Sequence, residues 1–207
     1  MKNLRLKNLK LLKKNYIYSE NQEHDACGVG LVASTEGKKS RKVVEYAIEA
    51  LKAVWHRGAV DADGKTGDGA GIHIEIPYDF FVEKIETKGH KHDDSEICIG
   101  MVFLPRDNFN AQESCKTIFE KELTNSNFKI YGWRQVPINT KVLGEKANSN
   151  RPEITQVLFK HNDKKLVEKE LERKLYEIRR KVEKEVIKSN LEGFYICSLS
   201  SKSIIYK

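Results

Sequence analysis

The sequence contains no apolar run near the ~20 residues that a membrane helix requires. Its first segment also lacks the ~7–15-residue apolar stretch of a secretory signal. Together these point to a soluble, cytoplasmic protein with no membrane partner. Cysteine is sparse: four in 207 residues, at positions 27, 98, 115 and 197, with no C-x-x-C pair and no zinc-ligand spacing. That argues against a disulfide scaffold and a structural zinc site and fits a reducing compartment. Internal repeats and low-complexity tracts are absent as well, which excludes solenoid and fibrous architectures.

The chain is not short of positive charge, with a net +7, but it lacks the interleaved aromatic and basic stripe of a nucleic-acid surface. Lys2, Arg5, Lys7, Lys10, Lys13 and Lys14 crowd the start, whereas the 164–190 stretch alternates Lys and Arg with Glu. No nucleic-acid partner is expected. The leucines of the basic start are similar to those of a transit peptide, yet Arg and Ser are scarce there and Lys and Asn abundant. The length suits one sizeable domain.

Residues 1–20 are basic, Ser19 to Ala26 turn acidic and polar, and at Cys27 the character changes to Cys-Gly-Val-Gly-Leu-Val-Ala. That break divides a leader, 1–26, from a domain, 27–207. Val29, Leu31 and Val32 predict a buried strand. Ser40 predicts the cap of a helix with Val43, Val44, Ala47, Ile48, Leu51, Val54 and Trp55 on one stripe, ended by Gly58. The run 61–69 is too rich in glycine and polar residues for regular structure and predicts a loop. Strands follow at Ile72 to Ile76, stopped by Pro77, and at 96–104, 129–136 and 154–160. Helices are expected over 111–123 and 164–190, the latter with Leu166, Leu171, Leu175, Ile178, Val182 and Val186 aligned. Residues 137–152 read as a polar connection, and 194–199 with 203–206 as a hairpin.

Several motifs fail on spacing. Gly64-Lys65-Thr66 is similar to the end of a phosphate-binding loop, but that motif needs a glycine where Ala59 stands and a strand where a helix is expected. Asp61, Asp63 and Gly64 are similar to a calcium loop, with the glycine fourth instead of sixth and no closing glutamate. His90, His92, Asp93 and Asp94 read as a solvated loop, and no metal is assigned. Cys98 and Cys197 lie in apolar runs, as small buried hydrophobes do, and Cys115 lies in a helix.

Cys27 has a different setting. Acyl transfer needs a thiolate and a base, and a chain beginning with cysteine carries both, since its α-amino group has a pKa of about 7.7–8.0. Small Ala26 before it suits cleavage, and Gly28 after it lets the backbone approach a substrate. A lone cysteine opening a buried strand is otherwise a packing residue.

Three segments weigh against that plain reading: Cys27-Gly28-Val29-Gly30, Trp55-His56-Arg57-Gly58-Ala59-Val60, and Asp63-Gly64-Lys65-Thr66-Gly67-Asp68-Gly69-Ala70-Gly71-Ile72. In order and spacing they closely resemble the start of the class II glutamine amidotransferase domain of glutamate synthase large subunits. Ser198 to Lys207 resembles a later segment of the same domain. The resemblance implies an α+β fold, the N-terminal-nucleophile hydrolase α/β/β/α sandwich of two antiparallel sheets, incomplete at the C-terminus. It implies that residues 1–26 are a removable propeptide. It makes Cys27 the nucleophile that takes glutamine to glutamate and ammonia through a γ-glutamyl thioester, with Arg57 and Gly28 supporting the pocket.

No cofactor is expected in this chain. The complete family enzyme passes ammonia to 2-oxoglutarate on synthase domains with FMN and a 3Fe-4S cluster, served by a small NADPH- or ferredoxin-linked electron donor. The family's carboxylate-gripping arginine segment and Asn-Gly oxyanion segment lie beyond the last matched segment. Losing an oxyanion donor costs on the order of 10²–10³ in rate, so the 207 residues alone are expected to be nearly inactive. The alternative is a catalytically inactive fragment serving as an interaction or assembly module.

Overall fold

The alternation in Cys98–Leu104 sets out the layers. Cys98, Val102 and Leu104 are buried on one face of that strand, and Ile99 and Met101 on the other. A strand covered on both sides reads as a nearly continuous apolar run, as this one does. The computed structural model of the protein describes residues 7, 8, 10, 11, 28–55, 58–93 and 96–207.

In chain order the elements are α1 (Arg41–Ala53), β1 (Ile72–Glu75), α2 (Tyr78–Thr87), β2 (Cys98–Leu104), α3 (Phe109–Asn125) and β3 (Phe128–Gln135). A short 3-10 turn (Thr140–Val142), α4 (Glu145–Asn150), β4 (Glu153–His161), α5 (Glu168–Lys188), β5 (Tyr195–Ser200) and β6 (Ser203–Tyr206) follow. One sheet has four strands in the order β3-β4-β2-β5 and the other pairs β1 with β6, all antiparallel.

Helices α3 and α5 cover one face of the larger sheet. Phe119 and Leu123 from α3 and Leu175, Ile178 and Val182 from α5 meet Cys98, Val102, Val157, Phe159 and Ile196 there. The opposite face packs against Ile204 of β6, Ile76, and Phe81 and Ile85 of α2. Helix α1 abuts β1. The chain is therefore an α+β molecule of two antiparallel sheets with helices.

Helix ends follow local chemistry. Ser40 Oγ accepts the Lys42 amide at the start of α1, and Asn108 Oδ1 accepts the Ala111 amide at the start of α3, each satisfying an orphan donor. Helix α5 stops where Asn190 turns left-handed at φ 51°. The Asn190 amide then bonds the Ile187 carbonyl and the Leu191 amide bonds Val186, closing the helix and returning Leu191 to the core. Helix α2 escaped the sequence reading. It starts after Pro77, whose fixed φ suits a helix entry, and buries Phe81 and Ile85, one turn apart.

Three expectations need correction. Val29, Leu31 and Val32 form no strand, and Val29 and Leu31 are 94% and 91% exposed. β-forming residues need a ladder neighbour, and no described strand lies alongside them. Helix α1 ends at Ala53 with Val54 as its cap, four residues short of the position before Gly58, and Trp55 lies beyond it, 74% exposed. The final two runs are strands but not a hairpin: β5 joins β2 and β6 joins β1, so the chain changes sheets at residues 200–203.

That corner is held by side chains in place of ladder bonds. Ser198 Oγ accepts the Ile205 amide, and Ser200 Oγ accepts the amides of Lys202 and Ser203. On α5, Glu172 Oε1 accepts the Ser201 amide at 2.7 Å, the Ser201 hydroxyl at 2.9 Å and the Ser200 hydroxyl at 3.1 Å. A register shift where Ser198 pairs Met101 but Ile196 pairs Val102 leaves Cys197 as the extra residue of a bulge, which bends the strand toward the corner.

Candidate active site and its supporting loop

Of the predicted site residues, Cys27 and Arg57 lie outside the described residues, as do His56 and Asp94. Gly28 is described and exposed. A Cβ added there would meet only Val54 of the segment closing α1, at 3.7 Å, an ordinary contact. Its lack of a side chain is thus not demanded by local packing.

The glycine-rich run after Arg57 is more ordered than its composition suggests. The Ala59 amide donates to Asp68 Oδ2 at 2.9 Å, Val60 and Gly67 form an antiparallel bridge, and the Asp61 amide donates to the Thr66 carbonyl at 2.7 Å. Gly64 makes the reversal at φ 69°, a conformation glycine enters without strain. Asp63 ties the tip: Oδ1 accepts the amides of Lys65 and Thr66, and Oδ2 accepts the Thr66 hydroxyl at 2.5 Å. Those bonds, the Thr66 hydroxyl first, hold the Asp63 carboxyl well below the usual carboxylate range. Asp61 is lowered chiefly by Lys146, whose Nζ donates to it at 2.6 Å.

The three described thiols offer no rival nucleophile. Cys98, Cys115 and Cys197 are all buried, and burial pushes each thiol up from its ordinary value. A nucleophilic cysteine needs the opposite shift. Nor do they converge on a cluster, since Cys98 and Cys115 belong to one core and Cys197 to the other.

The histidine-rich segment is likewise committed elsewhere. His92 Nε2 bonds the Tyr78 hydroxyl, and Asp93 pairs with Lys160 and Lys164. Among the described residues no group of three His, Cys, Asp or Glu side chains could hold a metal ion. No described helix is long and apolar enough to cross a membrane.

Sequence reasoning missed Asp68 and Gly144. Asp68 had a signal in its placement within the glycine run. Gly144 lies in the polar connection, and nothing local in the sequence marks it.

Two stacked antiparallel sheets flanked by helices define the class of fold, and comparison with known proteins supplies the family. Residues 27–207 match the family described as Glutamine amidotransferases class-II, and the chain belongs to it. It is 55% identical over 190 residues to the glutamate synthase [NADPH] large chain of Azospirillum brasilense, covering 92% of this chain and 12% of that protein. It is 41% identical to the ferredoxin-dependent glutamate synthase of Cyanidium caldarium, over 90% of this chain and 12% of the relative. The glutamate synthase [NADH] of Saccharomyces cerevisiae is 34% identical, over 94% of this chain and 9% of the relative. The chain thus spans about an eighth or less of these relatives.

Proposed function

We propose that this chain carries the nucleophile portion of a glutaminase, with Cys27 as its reacting group. The observation that carries the reading is that the family match begins at Cys27 itself. The burial of the other three thiols supports it.

In the proposed reaction residues 1–26 are removed, and the freed α-amino group of Cys27 accepts the thiol proton. The thiolate attacks the side-chain amide carbon of glutamine. The C–N bond breaks, the amine returns the proton to the leaving nitrogen, and ammonia departs from a γ-glutamyl thioester. Water then cleaves the thioester, giving glutamate and regenerating the thiol. Arg57 and Gly28 support the pocket. In the complete cytoplasmic enzyme the ammonia meets 2-oxoglutarate on synthase domains using FMN and an iron–sulfur cluster, with an NADPH- or ferredoxin-linked donor. This chain's described thiols do not fit that cluster, and no step runs through it here.

The 207 residues contain no Asn-Gly pair for an oxyanion hole, so trapping is the informative readout and turnover is expected to be negligible. The test is the mass of the expressed protein, before and after exposure to a glutamine analogue with a diazoketone in place of the carboxamide. An N-terminus at Cys27 and a single adduct on it are expected. Retention of Met1 to Ala26 with no adduct would overturn the reading and leave the assembly module, which the exposure of Val29, Leu31 and Trp55 would then serve.

A further inference from the structure

The glycine-rich loop has a seat elsewhere in the chain. Thr66 Oγ1, while donating to Asp63, accepts the Ala147 amide at 3.3 Å from 81 residues away. Lys146 reaches Asp61 across the same junction. Gly144, the residue before α4, is buried beneath the loop tip. A Cβ at Gly144 would lie 2.5 Å from the Thr66 backbone nitrogen and would also collide with Thr66 Oγ1 and Asp63 Oδ2.

Gly144 itself has φ −70° and ψ 162°, which any residue adopts without strain. Glycine is therefore not needed for the backbone. It is needed because the loop occupies the space a side chain would fill.

We propose that the Gly144–Ala147 turn is a seat that fixes the register of the 58–69 loop, making Gly144 and Thr66 positioning residues for that loop in the proposed site. This rests on the glutaminase reading given above. The three rungs Ala59–Asp68, Val60–Gly67 and Asp61–Thr66 make the loop a stiff link. The tip of the link is held at the seat. The Lys146–Asp61 pair is exposed and adds little on its own, so the seat works through shape and the Thr66 hydroxyl.

The test compares the chain with Gly144→Ala, Thr66→Val and Thr66→Ser variants by amide hydrogen exchange and by diazoketone labelling of Cys27. Losing a hydrogen bond of ordinary net strength corresponds to roughly five-fold in an equilibrium. Exchange across 58–69 should therefore quicken by about that factor or more in Gly144→Ala and Thr66→Val. Thr66→Ser, which keeps the hydroxyl, should match the parent, and β2 and β4 should exchange at the parent rate throughout. Labelling should lose affinity for the analogue by a similar factor in the first two variants, with the limiting rate at saturation less affected.

Unchanged loop exchange in both Gly144→Ala and Thr66→Val overturns the seat. Faster exchange with unaltered labelling overturns the positioning role. Absence of labelling in the parent refutes the glutaminase reading and with it the positioning role, an outcome separate from either. Should Gly144→Ala disturb β2 and β4, the Thr66 pair decides the matter alone.

Discussion

Replacing Glu172 should unfasten the corner at which the chain passes from one sheet to the other. One carboxylate oxygen accepts three hydrogen bonds there, two from hydroxyls and one from the Ser201 amide. Hydrogen bonds to a charged group are worth about 1.5–3 kcal/mol each, and three sharing one oxygen do not add. Ser201 is 7% exposed, so its amide loses its partner where water replaces it poorly. Glu172→Ala should therefore cost about 2–4 kcal/mol. Glu172→Gln keeps an oxygen in place without the charge and should cost about half as much, since charge assistance roughly doubles such bonds. Urea unfolding followed by tryptophan fluorescence measures both, with an unchanged denaturant slope showing that the same surface is exposed. As a control, Glu177, in an exposed pair with Arg173 on the same helix, should cost under about 1 kcal/mol on truncation. Equal losses for Glu172→Ala and Glu177→Ala would refute the reasoning.

Gly100 lies beneath Val157, and a Cβ there would stand 2.6 Å from a Val157 methyl and 3.1 Å from Leu199. Gly100→Ala should destabilise by roughly 1–3 kcal/mol through overpacking in the same urea assay, and a neutral result would contradict the packing described. With a thiol reagent at mildly alkaline pH, one cysteine should react quickly, and Cys98, Cys115 and Cys197 should wait for unfolding, as their burial and raised thiol values require. Rapid modification of Cys98 in the native protein would count against the core. The folded Asp63 carboxyl is lowered from its ordinary 3.8. Its contribution to the loop is thus complete above that value and lost only as pH falls through the lower folded value. The Thr66 and Lys65 amide resonances should hold their positions through pH 3.8 and move only in stronger acid. An inflection at or above 3.8 would show that the Asp63 bonds are absent in solution.

What could be read from the sequence was what local pattern determines. The apolar run of β2 and the stripe of α5 identify themselves because their periods match one strand and one helix, and α5 begins and ends close to where its pattern does. Val29 and Leu31 misled because β-forming residues state a preference, while a strand also needs a neighbour. The runs 194–199 and 203–206 have the form of a hairpin, yet a bulge at Cys197 and the hold of Glu172, 28 and 29 residues from the serines it grips, send them to different sheets. Cys27 is proposed on its neighbours in the chain and lies outside the described residues. The seat at Gly144 joins Ala147 to Thr66 across 81 positions, and such pairings leave no periodic trace.

The pairing of β1 with β6 has a consequence for the order of events as the chain is made. Ile72 to Glu75 find their only ladder partners, among the described residues, at Ser203 to Tyr206. Closing so long a span costs entropy that only the completed pairing returns. During synthesis β2, α3, β3, β4 and α5 can assemble as each emerges, while β1 waits until Ser203 to Tyr206 have been made. Strand β1, the first strand in chain order among the described residues, is thus among the last to settle. The smaller sheet takes shape only after the larger one it packs on has formed.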